Sequence, residues 1–145
     1  MSYKIAIVVS EFNKKISDNL ILGAKSEYSK LFSDEKLDIY KVPGAFEIPG
    51  TINNILKNTN NYDAIIAFGS VIKGETAHFN YICEAVSNSI ISLSSRTTTT
   101  IPVMFGVLTT YNYEQALERS DINKKNKGGE VMKATLDTIE LYKKI

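Results

Sequence analysis

The sequence predicts an α/β fold, a three-layer αβα sandwich whose four-stranded parallel sheet carries helices on both faces. Three observations lead there. Apolar runs of strand length alternate four times with patterns of helical period. The runs KIAIVV and AIIAF are continuous rather than alternating, as expected of strands buried on both sides. The 145 residues suit one domain spanning 1–145, with no internal repeat and no linker.

The elements follow in order. Residues 4–9 read as a first buried strand. Ile16, Leu20, Ala24, Tyr28 and Leu31 then recur at three- and four-residue steps, marking a helix with one face inward. Residues 37–42 (LDIYKV) form a second strand, closed by Pro43 and Gly44. A shorter helix carries Ile52, Ile55 and Leu56, and the polar stretch 58–61 is a turn. Residues 64–68 (AIIAF) are the third strand. Phe79, Ile82, Val86, Ile90 and Leu93 give the inner stripe of the longest helix. The threonine run 97–100 reads as a loop or strand entry. Residues 102–108 (PVMFGVL) are the fourth strand, 113–119 a short helix, 121–129 a polar loop and 130–144 the last helix, with Met132, Leu136 and Ile139 inward.

Composition excludes several functions. A net charge of +1 offers no field for nucleic acid or an anionic membrane. One cysteine and one histidine make neither an intrachain disulfide nor a zinc site, and Cys83 reads as a small buried apolar residue. With no apolar run of membrane-spanning length and no basic-then-apolar leader, a cytoplasmic protein is expected. The lysines are scattered and read as solvated surface. Arginine occurs twice, at Arg96 and Arg119, and a guanidinium is not interchangeable with an ammonium at an anion site.

In parallel sheets, ligands lie beyond the carboxyl ends of the strands. Four segments fall there: 10–14, 42–50, 69–78 and 108–112. In the third, Gly69 and Gly74 bracket a loop ending in Glu75 and Thr76. A nucleotide phosphate loop would need lysine directly after the second glycine, where Glu75 stands. The loop can still open a helix whose first amides attract a single anion, or Gly74 can simply shape a tight turn. His78 follows in the first helical turn. An imidazole changes charge near neutral pH, which suits a proton shuttle, although a histidine there can equally be a polar surface residue. Phe12 and Phe46 sit at loop positions suited to stacking on a flat heterocycle, and Glu47 adds a carboxylate beside them. Phe105 lies inside the fourth strand and reads first as core. Arg119 and Lys127 flank a polar loop, either as solvated cations or as an anion clamp.

Taken together, SEFN, VPGAFEIP, GSVIKGETAHFNY, PVMFGVLTT, QALERS and NKGGE resemble the lumazine synthase family in order and spacing, over nearly the whole chain. The resemblance implies a flavodoxin-like sandwich. It implies an enzyme of riboflavin biosynthesis joining 5-amino-6-(D-ribitylamino)uracil to L-3,4-dihydroxy-2-butanone 4-phosphate, with release of phosphate and water and no metal or organic cofactor. By matching motif, Phe12 stacks on the pyrimidine. Ala45, Phe46 and Glu47 line the ribityl and ring site. Ser70, Val71 and Ile72 contact the uracil. Glu75 and Thr76 offer amides to the phosphate, and His78 shuttles protons. Phe105, Arg119 and Lys127 come from the adjacent subunit, Arg119 binding phosphate and Lys127 contacting substrate oxygens. A homo-oligomer of at least five subunits is implied, with riboflavin synthase as a candidate partner.

Three positions depart from the family pattern. The chain starts at its first core strand, without the extra N-terminal strand of many shell-forming members. Asp121 stands where glycine is common. Glu75 places a charge near the phosphate, leaving its backbone as the useful partner. Two other readings of the same fold are a flavin- or nucleotide-binding module and a non-catalytic shell protein.

Overall fold

Four parallel strands in the order β2-β1-β3-β4 form the sheet of the computed structural model, which describes residues 2–59, 61–96 and 98–145. Asn60 of the expected turn and Thr97 of the threonine run lie outside the described residues. β1 (Ile5–Ser10) is buried throughout. Its alternation sends Ile5, Ile7 and Val9 to one face and Ala6 and Val8 to the other. On the first face, α1 (Lys14–Ser29), α4 (Tyr113–Ser120) and α5 (Lys127–Tyr142) supply Leu20, Ala24, Ala116, Met132 and Leu136. On the second, α2 (Ile48–Asn58) and α3 (His78–Ser94) supply Ile48, Ile52, Val86 and Ile90. The expected three-layer, flavodoxin-like sandwich is what the chain forms.

β2 (Leu37–Val42) lies at one edge of the sheet, where only Val42 is fully buried. The chain runs from β1 through α1 to β2 on one side, then crosses through α2 to β3 (Ala64–Ile72) on the other. The strand order therefore reverses at β1, and the crevice between the β1 and β3 ends is the place for a ligand.

β3 is longer than its apolar core suggests, running four residues past Phe68. Its pairing with β1 ends at Val9↔Phe68, whereas its pairing with β4 (Val103–Thr110) continues to Ile72↔Thr110. Residues 69–72 thus lack a neighbour on the β1 side and are open to become the floor of a cavity. Where the strands part, a Cβ on Gly69 would lie 2.6 Å from Ser10 Oγ, so a larger residue would force the Ser10 side chain to shift.

α5 also begins earlier than expected, at Lys127 rather than Glu130. Asn126 takes the left-handed conformation (φ 47°), and its Oδ1 accepts a hydrogen bond from the Gly129 amide at 3.2 Å, which caps the helix. The glycine pair that reads as a loop serves helix packing instead: a Cβ on Gly128 would collide with the Leu20 carbonyl of α1. Other differences are local. Leu31 lies past the end of α1 and is exposed. Cys83 is half-buried rather than buried.

Candidate active site

Three strand ends converge on a cavity of about 340 Å³ lined by Phe12, Gly44, Ala45, Phe46, Ser70, Val71, Ile72, Gly74, Thr76, His78, Phe79 and Ile82. Phe12 follows β1, and residues 44–46 follow β2 and enter a 3-10 turn, Ala45–Glu47. Pro49 fits the first turn of α2, where a missing amide hydrogen costs no helical bond. Residues 70–72 are the extension of β3. Eight of the residues expected in the site from sequence therefore meet in one place of a size suited to a small ligand.

The aromatic rings are not there for the core. Phe12 is 61% and Phe46 62% exposed, although fully burying such a ring stabilises a fold by about 1.5–3 kcal/mol. They line a cavity that carries one imidazole, His78, and no carboxylate, lysine or arginine. A flat, uncharged ring system is the ligand chemistry that fits such a lining.

Backbone geometry fixes the floor. Asn13 is left-handed (φ 60°) and starts α1, its carbonyl accepting from the Ile16 and Ser17 amides. Its Nδ2 donates to Ser70 Oγ at 3.3 Å, tying the β1 loop to the β3 extension. At the mouth, α3 starts at His78 after Ala77, which has no capping side chain. The His78 amide donates to Thr76 Oγ1 at 3.3 Å, and His78 itself is exposed. Gly74 is not left-handed, and a Cβ there would meet nothing within 4 Å, so neither backbone conformation nor crowding requires a glycine at this position. Its lack of a side chain leaves the approach to the α3 amides open, and those amides attract anions.

Phe105, Arg119 and Lys127 are brought together elsewhere. They line a second cavity of about 410 Å³ with Val107, Leu108, Thr109, Lys125 and Glu130. The two linings share no residue. Reading Phe105 as core is wrong: the ring is 42% exposed, because β4 is an edge strand with no neighbour on its outer side. Arg119 comes from the last turn of α4 and Lys127 from the first turn of α5, where Lys127 Nζ is 3.1 Å from Glu130 Oε1.

Glu47 and Glu75 line neither cavity. Glu47 borders the first: a Cβ on Gly44 would lie 3.3 Å from its Oε1. Glu75 is exposed in the loop before α3. Sequence reasoning assigned Phe79 and Ile82 to the inner stripe of α3 and missed them as walls; both pack against the core and also line the cavity. It also missed Lys125 and Glu130, which nothing in the sequence separates from other surface charges. Shifted titrations lie outside the cavities. Burial pushes the Tyr62 phenol up, helped by its hydrogen bond to Asp38 Oδ2 at 2.6 Å, and burial pushes the Cys83 thiol up. Among the described residues, no group of three or more His, Cys, Asp or Glu side chains could hold a metal ion, and no helix is long and apolar enough to cross a membrane.

A sheet of this order, opened at its switch point, defines a parallel α/β protein built to bind a small molecule. Its similarity to known proteins narrows that class. The chain belongs to the 6,7-dimethyl-8-ribityllumazine synthase family, whose description matches residues 2–143. Proteins called 6,7-dimethyl-8-ribityllumazine synthase from Yersinia pestis (strain Pestoides F) and Yersinia pseudotuberculosis serotype O:1b (strain IP 31758) are each 41% identical to it over 144 residues, covering 98% of this chain and 90% of the relative.

Proposed function

We propose that the chain is the 6,7-dimethyl-8-ribityllumazine synthase of riboflavin biosynthesis, condensing 5-amino-6-(D-ribitylamino)uracil with L-3,4-dihydroxy-2-butanone 4-phosphate. The observation that carries this reading is the division of the residues between two cavities, one aromatic and one cationic. One substrate is a planar ring and the other an anion, so the reaction needs both linings. We place the active site between subunits of a cytoplasmic oligomer, at least a pentamer, with the first cavity of one subunit facing the second cavity of its neighbour.

In this arrangement Phe12 stacks on the pyrimidine. Ser70, Val71 and Ile72 hold its edge through backbone groups, and Ala45, Phe46 and Glu47 position the ribityl chain. Arg119 of the neighbour binds the phosphate with its planar fork of donors, opposite the amides that open α3 after Glu75 and Thr76. Lys127 contacts substrate oxygens, and Phe105 covers the ring.

The chemistry asks little more of the protein. The primary amine attacks the C2 ketone and water leaves to give an imine. Loss of the C3 proton expels phosphate from C4, the resulting enol becomes a C3 ketone, and the second nitrogen attacks that carbon and closes the ring with loss of a second water. Holding the two substrates aligned contributes up to about 7–11 kcal/mol in ideal intramolecular cases. His78, at the α3 mouth where the phosphate departs, moves the protons. Purified protein mixed with both substrates is expected to form the fluorescent lumazine faster than a no-enzyme control. Equal rates from correctly assembled oligomer would overturn the reading and favour a binding or shell protein. A complex with riboflavin synthase is the partner expectation, testable by co-sedimentation.

A further inference from the structure

We propose that Lys125 is a third cation of the phosphate site, matching the second cavity to a phosphomonoester dianion. The inference rests on the function proposed above and concerns a residue that the family resemblance assigns to nothing. Four charged residues line that cavity: Arg119, Lys125, Lys127 and Glu130. Lys127 and Glu130 form an ion pair at 3.1 Å and largely cancel. Arg119 alone would then face a phosphomonoester that carries about −1.5 to −2 at pH 7. Lys125 supplies the missing positive charge. Among the described residues, neither Arg119 nor Lys125 has an ion-pair partner of its own.

The backbone holds Lys125 in place. Its amide donates to the Glu118 carbonyl at 3.3 Å, and the next amide, of Asn126, donates to the Asp121 carbonyl at 2.9 Å. The connection between α4 and α5 is therefore closed on itself, with Lys125 turned toward the cavity. Lys124, one residue earlier, is exposed as Lys125 is, but does not line the cavity. The two adjacent lysines thus provide a test and its control.

The test measures inorganic phosphate binding to the assembled oligomer by phosphorus NMR titration, together with kcat and KM for each substrate. Lys125→Gln is expected to weaken inorganic phosphate binding about five-fold and to raise KM for the phosphate substrate by a similar factor. KM for the pyrimidine and kcat should stay close to wild type. Lys125→Arg should restore both losses, and Lys124→Gln should leave both readouts unchanged. Wild-type phosphate affinity in Lys125→Gln overturns the proposal, as does an equal loss in Lys124→Gln, which would signify diffuse surface charge. A wild-type protein with neither phosphate binding nor turnover would instead overturn the function on which the proposal rests.

Discussion

The two cavities have similar volumes and opposite chemistry. The first, about 340 Å³, is walled by aromatic, aliphatic and small residues with a single imidazole; the second, about 410 Å³, carries three cations and a carboxylate. They are also built differently. The first depends on strand register, because it exists where β3 outruns its pairing with β1. The second depends on helix packing, because Gly128 lets the start of α5 press against the α1 backbone and so places Lys127. A sheet can thus offer a dry surface for a ring while its edge and helix ends offer charge, and the two need not lie in one pocket. In the proposed function, each cavity is half of a site in which a planar molecule and an anion meet.

Separate damage to each half should have separate consequences. The largest effect is expected from Arg119→Ser, which removes a fork of charge-assisted donors. It should lower kcat/KM for the phosphate substrate by about 10²–10³-fold and leave pyrimidine binding intact. If that variant matches wild type at subsaturating phosphate substrate, the second cavity is not the anion half. His78→Ala comes next, with kcat reduced by about 10²-fold in stopped-flow fluorescence. Turnover should stay above the uncatalysed rate, since alignment is retained.

Gly128→Ala attacks the architecture of the second half alone. Its Cβ meets backbone that cannot step aside, so denaturant unfolding should show a loss of about 2–3 kcal/mol. Phosphate affinity should fall more than pyrimidine affinity. The smallest of these four effects is expected from Phe12→Ala: loss of stacking should raise KM for the pyrimidine about ten-fold. Inorganic phosphate binding should not move. If it does, the halves are coupled more tightly than their linings suggest.

Much of this architecture is legible in the amino-acid sequence. The runs KIAIVV, LDIYKV, AIIAF and PVMFGVL each lie in a strand; three are continuous apolar sequence bounded by turns, which has few other uses at that length, and LDIYKV mixes in the charges of an edge strand. Positions at strand ends locate Phe12, Phe46, Ser70 and His78, because topology fixes where those ends point. The hidden features are those in which one residue type serves two purposes. Gly69 and Ser70 look like the end of a strand, yet β3 continues through them because β4 pairs that far. Gly128 and Gly129 look like a loop, yet they allow close helix packing. Phe105 has the same local sequence signature as a core residue, and only its place on an edge strand leaves it exposed. Lys125 differs from Lys124 by the direction in which a closed turn presents it, which no single-residue property encodes.

The central claim is that one active site takes its first half from one subunit and its second half from another. Mixed oligomers test it most directly. A Phe12→Ala, His78→Ala double variant breaks only the first cavity, and Arg119→Ser breaks only the second. Unfolded together and reassembled, the two should give subunit contacts at which an intact first cavity faces an intact second one. Lumazine formation by the mixture should then exceed the sum expected from the two variants reassembled separately. Activity equal to that sum, from oligomers shown to contain both chains, would contradict the account and return both halves of the site to a single subunit.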